Sequence, residues 1–200
     1  MDASAWDERY RGTELVWAAE PNRFVEQELA GLESAGRALD LAAGEGRNAV
    51  WLAELGWEVD AVDFSAVALE KAGRLAAERG VRLHTVRADL TAWSAPEATY
   101  GLALVAYLHM PWQRMEHVLV QAARAVRPGG TLLLVGHAAA NLRHGHGGPQ
   151  DPDVLYTPEQ VAAAWRPYAD IVRADTVERS VTTPDGPRTA LDTVVRAVRP

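Results

Sequence analysis

Two hundred residues suit a single domain, long enough to bury a full core. Apolar residues make up 48% and charged ones 24%, and the absence of cysteine excludes disulfides, thiolate metal sites and a cysteine nucleophile. A net charge of −7 argues against binding to nucleic-acid backbones, which asks for a basic surface.

No apolar run approaches the roughly 20 residues of a membrane span. The opening Met1-Asp2-Ala3-Ser4 lacks the basic and apolar regions of a signal peptide, so a cytoplasmic protein is expected. Seven tryptophans against 2 phenylalanines suit a core, and flat aromatic walls also suit an adenine or an aromatic substrate.

Trp6 to Tyr10 reads as a short helix. Glu14 to Glu20 carries Val16-Trp17, and Pro21-Asn22 opens a helix through about Leu32, with Asn22 as its N-cap and Phe24, Val25, Leu29 and Leu32 near helical spacing. Residues 1–35 are expected to form a helical cover, with Trp6, Tyr10 and Trp17 either folding over a site or packing the helix on a sheet.

Ala38 to Ala53 follows as strand, glycine turn and helix. The apolar run to Ala43 is broken by Asp40 and stops at Gly44-Glu45-Gly46; Ala49, Val50, Leu52 and Ala53 then form one helical face. Gly44 can take backbone angles closed to other residues, and Gly46 is expected to let a ligand lie against bare backbone. The helix aims its unpaired N–H groups at the same spot. Asn48 is placed to cap that helix or touch a ligand, whereas Arg47 reads as surface. An unpaired carboxylate inside a sheet is costly, so Asp40 is also expected to bond the turn backbone.

Gly56 ends this helix and Glu58 to Val62 is the second strand, finishing at Asp63-Phe64-Ser65. The spacing G-x-G-x-x-A followed by an acid at Asp63 fits a dinucleotide fingerprint, so the ligand is of adenosine type. Ser65 caps a helix over Ala66 to Arg79, which Gly80 ends. Val81 to Ala88 is a third strand, running into Asp89-Leu90.

Leu102 to Leu108 is a buried central strand, Gln113 to Val126 a helix, and Arg127-Pro128-Gly129-Gly130 a turn into the strand Thr131 to Gly136. Ala138 to Thr157 shows little apolar periodicity and leaves from the ligand-binding edge of the sheet, so 138–157 is expected to be an active-site lid. Glu159 to Trp165 is helical. Ile171 to Val181 and Thr189 to Val198 form a terminal strand pair around a Thr183–Pro187 loop.

These residues resemble class I S-adenosylmethionine-dependent methyltransferases over most of the chain. The carriers are L-D-L-A-A-G-E-G-R-N-A at Leu39 to Ala49, A-V-D-F-S at Ala61 to Ser65, Asp89-Leu90, and R-P-G-G at Arg127 to Gly130. The W-D-E-R-Y opening and the G-E-G-R-N turn are closest to small bacterial tellurite-resistance and thiopurine-type members.

The resemblance implies a Rossmann-like doubly wound α/β fold with a seven-stranded sheet in the order 3-2-1-4-5-7-6, strand seven antiparallel, and helices on both faces. It implies S-adenosyl-L-methionine as cofactor and S-adenosyl-L-homocysteine as product. Asp40 and the backbone of Ala42, Ala43, Gly44 and Gly46 would surround the methionine end, with Asn48 beside them. Asp63 would hold the ribose and Phe64 would pack on adenine, with Ser65 following; Asp89 and Leu90 would contact the adenine edge, and Ala106-Tyr107 would lie beside the sulfonium. Gly101 departs from an aspartate common before strand four, and Ala43 replaces a usual cysteine.

His109 follows the central strand at its ligand end. An imidazole there can remove a proton from an O–H, N–H or S–H nucleophile; the structural reading is a loop histidine capping backbone. His137, at the end of strand five, carries a similar argument. His144 and His146 lie in the expected lid, and no metal site is expected from them.

The reaction expected is methyl transfer to a small-molecule nucleophile (O, N, S or chalcogen) by in-line displacement. An NAD(P)-dependent oxidoreductase and a non-catalytic ligand-binding protein of methyltransferase fold are the alternatives. Nucleic-acid and membrane partners are not expected, and monomer and homodimer both stay open.

Overall fold

In the computed structural model, residues 3–12, 14–34 and 36–200 are described. Met1, Asp2, Thr13 and Ala35, which the expected signal-peptide-free start and N-terminal cover include, lie outside them. The strands are β1 (Arg37–Leu41), β2 (Glu58–Asp63), β3 (His84–Arg87), β4 (Tyr100–Ala106), β5 (Val126–His137), β6 (Asp170–Thr183) and β7 (Gly186–Val198). They form one sheet in the order β3-β2-β1-β4-β5-β7-β6, and only β7 runs antiparallel to its neighbours. This is the expected topology.

The helices are α1 (Ala3–Tyr10), α2 (Arg23–Leu29), α3 (Arg47–Glu54), α4 (Ala66–Glu78), α5 (Trp112–Ala125), α6 (Asn141–His144) and α7 (Pro158–Trp165). Parallel strands need both faces covered. Phe24, Val25 and Leu29 of α2 and Ala49 and Leu52 of α3 pack one side; Met115 and Leu119 of α5 and Val161 and Trp165 of α7 pack the other. The Trp165 indole has no exposed surface and donates to the Leu119 carbonyl at 3.0 Å. Trp57 is likewise core, so part of the tryptophan excess is plain packing.

Capping residues set several boundaries. Asn22 Oδ1 accepts from the Phe24 and Val25 amides, Ser65 Oγ from Ala68, and Thr157 with Gln160 closes a reciprocal capping box. Several boundaries differ from expectation, and β4 runs Tyr100–Ala106 rather than Leu102 to Leu108, so that Tyr107 and Leu108 follow it. Helix α2 stops at Leu29 rather than Leu32, with Gly31 at φ 79° just beyond. Strand β3 starts at His84 rather than Val81, because the Val81 amide is drawn back to the Ala76 carbonyl at the end of α4. Strand β5 begins at Val126, paired with Tyr100, so the Arg127–Gly130 turn lies inside it.

The closing hairpin is tighter than the expected loop. Thr183 pairs with Gly186, leaving Pro184-Asp185 as a two-residue turn. Residues 138–157 are less loop-like than expected. They hold α6, a 3₁₀ turn at Pro152–Val154 and a bridge between Ala138 and Tyr156. The Asn141 side chain pins the segment, accepting from Leu191 N at 2.7 Å and donating to the Gly147 carbonyl at 2.8 Å. Among the described residues, no helix is long and apolar enough to cross a membrane.

Candidate active site

The carboxyl ends of β1, β2, β4 and β5 meet at one edge, where open parallel sheets bind ligands. Strand β1 ends into Ala42 at φ 61°, Gly44 at φ 55° and Gly46 at φ 82°, and β4 ends into Tyr107 at φ 55°. Two non-glycine residues in the left-handed region on neighbouring strand ends mark local strain of the kind that collects at binding sites.

A Cβ on Gly46 would meet the Ala72 Cβ at 2.6 Å, so α4 packs against the bare side of this glycine and a ligand is left the backbone of the turn. The Gly44 amide donates to Asp63 Oδ2 and the Ser65 amide to Asp63 Oδ1, both at 2.9 Å. Asp63 thus ties the first turn to the second, and burial raises its pKa against the pull of the Ser65, Gly44 and Phe64 amides. Phe64 beside it is half-buried.

Asp40 does not bond the turn as expected. The Gly44 amide is taken by Asp63, and both Asp40 carboxylate oxygens are buried without a hydrogen-bond partner. Burial, then the Asp63 charge, pushes this carboxyl up to about 7, against Arg47 and the nearby Ala49 amide, whose approach falls short of a well-aligned hydrogen bond. Arg47 is half-buried rather than surface; burial lowers its pKa, and Tyr107 and Asp40 oppose that. Asn48 does not cap α3, whose N-cap is Gly46 without a side-chain bond; its Oδ1 accepts from Asn22 N at 2.9 Å.

The N-terminal aromatics do lie over the turn. The Tyr10 hydroxyl sits 3.2 Å from where a Gly44 Cβ would stand, and Tyr10 stacks on Trp6 with ring centres 5.3 Å apart. Trp17 Nε1 donates to that hydroxyl at 3.5 Å. Glu45, missed in the sequence, fastens this layer: its carboxylate accepts from Val16 N at 2.9 Å and Trp17 N at 3.1 Å and pairs with buried Lys71 at 3.0 Å. Lys71 also donates to the Glu14 carbonyl at 2.6 Å. From α1, Asp7 accepts from the Ser65 hydroxyl.

On the far side of the edge, Tyr107 donates to Asp192 Oδ2 at 2.7 Å and accepts from Asn22 Nδ2 at 3.3 Å. Asp192 and its partner Arg179, 2.6 Å away, also escaped the sequence reading. They sit in the terminal hairpin, where alternating polar residues give no signal of the cross-sheet contact. Ala106 ends β4 half-buried beside Tyr107.

His109 has the backbone-capping role rather than a free imidazole. Its Nδ1 donates to the Val154 carbonyl and its Nε2 accepts from the His137 amide, both at 3.3 Å, which fixes a neutral ring. Burial, and then the neighbouring His137, lowers its pKa to about 4. Asp89 is exposed and closes its own turn, accepting from Thr91 N and Oγ1, while Leu90 is buried in the core. His144 and His146 line an outer cavity of about 460 Å³ with Arg188 and the hairpin tip, apart from this edge. Among the described residues, no three His, Asp or Glu side chains gather as a metal site.

A family model described as a methyltransferase domain matches residues 38–130. The chain is 32% identical over 126 residues to a demethylmenaquinone methyltransferase of Thermus thermophilus, covering 62% of this chain and 55% of that one. It thus spans about half of that relative, and 33% of another curated protein that it matches. Among solved structures, one from work on conversion of a disulfide bond into a thioacetal group during echinomycin biosynthesis superposes with a TM-score of 0.76 at 21% identity, covering 98% of this chain and 92% of that one. TehB from Haemophilus influenzae gives 0.75 at 15% identity, covering 99% and 67%. Sheet order and core match agree: the chain has the class I methyltransferase fold, and its residues 38–130 match the model of a methyltransferase domain.

Proposed function

We propose that the protein is an S-adenosylmethionine-dependent methyltransferase acting on a small-molecule nucleophile. The observation that carries this reading is Asp40, a buried carboxyl with no partner at the end of β1. An unpaired buried acid is costly unless a cation meets it, and the donor's α-ammonium is such a cation. When bound, the donor supplies an electrophilic methyl on a sulfonium.

Asp40 and the Ala42–Gly46 backbone (Ala43 included) receive the methionine end, with Asn48 and half-buried Arg47 beside them. Asp63 keeps lone pairs for the ribose hydroxyls after its two amide bonds. Phe64 offers a face to adenine, Ser65 holds the turn, and Asp89-Leu90 border the adenine edge. Ala106 and Tyr107 lie on the sulfonium side. Trp6, Tyr10 and Trp17 on one flank and the 138–157 segment on the other exclude water. Methyl transfer by in-line displacement draws much of its rate from such positioning.

Calorimetric titration with S-adenosylhomocysteine, with NADH in parallel, tests this reading. Saturable binding of the first alone, weakened at least tenfold in Asp40→Asn, is expected. NADH binding without S-adenosylhomocysteine binding overturns it in favour of an oxidoreductase.

A further inference from the structure

His137 ends β5, and its cross-strand partner on β7 is Asp192. Opposed residues project to the same face, and His137 Nδ1 lies 3.2 Å from Asp192 Oδ1, close but without hydrogen-bond alignment. Asp192 has no exposed surface, and its other oxygen is held by Tyr107 and Arg179. Burial pushes the Asp192 pKa up, but His137, Arg179 and Tyr107 more than offset this and keep it a carboxylate.

The His137 ring is enclosed on most sides. Its Nδ1 is fully buried, and Gly148 packs so closely that a Cβ there would stand 2.9 Å from Cδ2 and Cγ. His109 stacks with it at 5.4 Å and Tyr107 meets it edge-on at 5.1 Å. Yet the side chain keeps 14% exposure. Nδ1 is buried and Gly148 lies over Nδ1, Cγ and Cδ2, whereas Nε2 is not among the buried unpaired atoms.

Resting on the methyltransferase reading above, we propose that His137, oriented by Asp192, takes the proton of the methyl acceptor, so that the acceptor is a protic O–H, N–H or S–H nucleophile rather than a preformed oxyanion. The other candidates are occupied: both His109 nitrogens cap backbone, and the Tyr107 hydroxyl is committed to Asp192. The Asp192 carboxylate 3.2 Å from Nδ1 favours the tautomer that carries its proton there and leaves the Nε2 lone pair free. In the step, the acceptor heteroatom forms a bond to the methyl carbon. The sulfur–carbon bond breaks with its electron pair staying on sulfur, and the heteroatom's proton moves to Nε2, from which water later removes it. The charged and titratable groups around the ring are Asp192 and Arg179 from the hairpin, Tyr107 and His109 after β4, Tyr156 stacked behind His109, and Arg47 within electrostatic reach of Tyr107 and Arg179.

Two readouts test this on the full chain. The first is ¹⁵N-histidine NMR of the wild type with S-adenosylhomocysteine. It should show His137 protonated at Nδ1 with a bare Nε2, a tautomer preference that weakens in Asp192→Asn. An Nε2–H tautomer overturns the proposal and leaves the pair as a structural tie between β5 and β7. Because the wild type alone answers the tautomer question, a misfolded variant does not block it.

The second readout compares wild type with His137→Gln on phenols and thiols of graded acidity. The variant should lose about 10²-fold in kcat/KM on the least acidic acceptors and almost nothing on those already ionised. A constant ratio across the series also overturns the proposal. Failure of S-adenosylhomocysteine to bind sinks the methyltransferase reading instead, and the NMR tautomer still reports on the dyad.

Discussion

Asp40 and His109 are buried with shifts that oppose each other across the same pH range. The Asp40 carboxyl, raised from 3.8 to about 7, favours the protonated fold, so its stability contribution is present below its ordinary pKa and is lost as pH rises through 7. His109, lowered from 6.5 to about 4, is neutral in the fold, so its contribution is present above its ordinary pKa and is lost as pH falls toward 4. The Asp40 shift is worth roughly 4 kcal/mol and the His109 shift roughly 3 kcal/mol at most, and between about pH 4 and 7 their opposite pH dependences largely offset each other. Asp40→Asn should therefore melt higher than wild type at pH 8 and alongside it at pH 4, while losing donor affinity. Thermal melts across that range check the sign; a variant less stable at pH 8 would mean the carboxyl has a partner in the fold.

The same residue links binding to protons. A cation against Asp40 pulls its pKa down, so donor binding near pH 6.5 should release a fraction of a proton. Calorimetry in buffers of different ionisation enthalpy reads this directly, and Asp40→Asn should abolish it.

Among elements, α4 packs closely against the glycine turn. Gly46→Ala combines a Cβ 2.6 Å from Ala72 with φ 82° and should cost roughly 1–3 kcal/mol. Adding Ala72→Gly should recover the steric share but not the backbone share, which denaturant melts of the two variants separate. The sequence carried most of this level. Strand order followed from the family resemblance carried by the motifs at Leu39–Ala49, Ala61–Ser65 and Arg127–Gly130, and the caps at Asn22 and Ser65 stood where side-chain chemistry required them.

What stayed hidden was long-range. Glu45 read as a turn residue because its partners, Val16, Trp17 and Lys71, are 26 to 29 positions away. Arg47 read as surface because no local pattern shows that Tyr107 and Asp40 lie across from it. His109 and His137 looked equivalent by position, and only the Val154 carbonyl, the β5 amide and Asp192 distinguish them.

At the scale of the whole molecule, one buried ion pair beneath the N-terminal layer helps anchor it to the sheet edge, Glu45 accepting from Val16 and Trp17 and Lys71 donating to the Glu14 carbonyl. The Lys71 and Glu45 side chains are only 6% and 3% exposed, and removing one partner of such a pair strands the other charge. Lys71→Met should lower stability by about 3–5 kcal/mol, against a smaller loss in the double variant with Glu45→Gln, as a double-mutant cycle in urea would record.

Glu45 lies between Gly44 and Gly46, so one residue has its backbone in the proposed donor turn and its carboxylate on Val16 and Trp17. Whatever steadies the turn steadies that grip, and by reciprocity a firmer grip holds the donor longer. On the proposed reading, Glu45→Gln, which loosens that grip, should weaken S-adenosylhomocysteine binding as well.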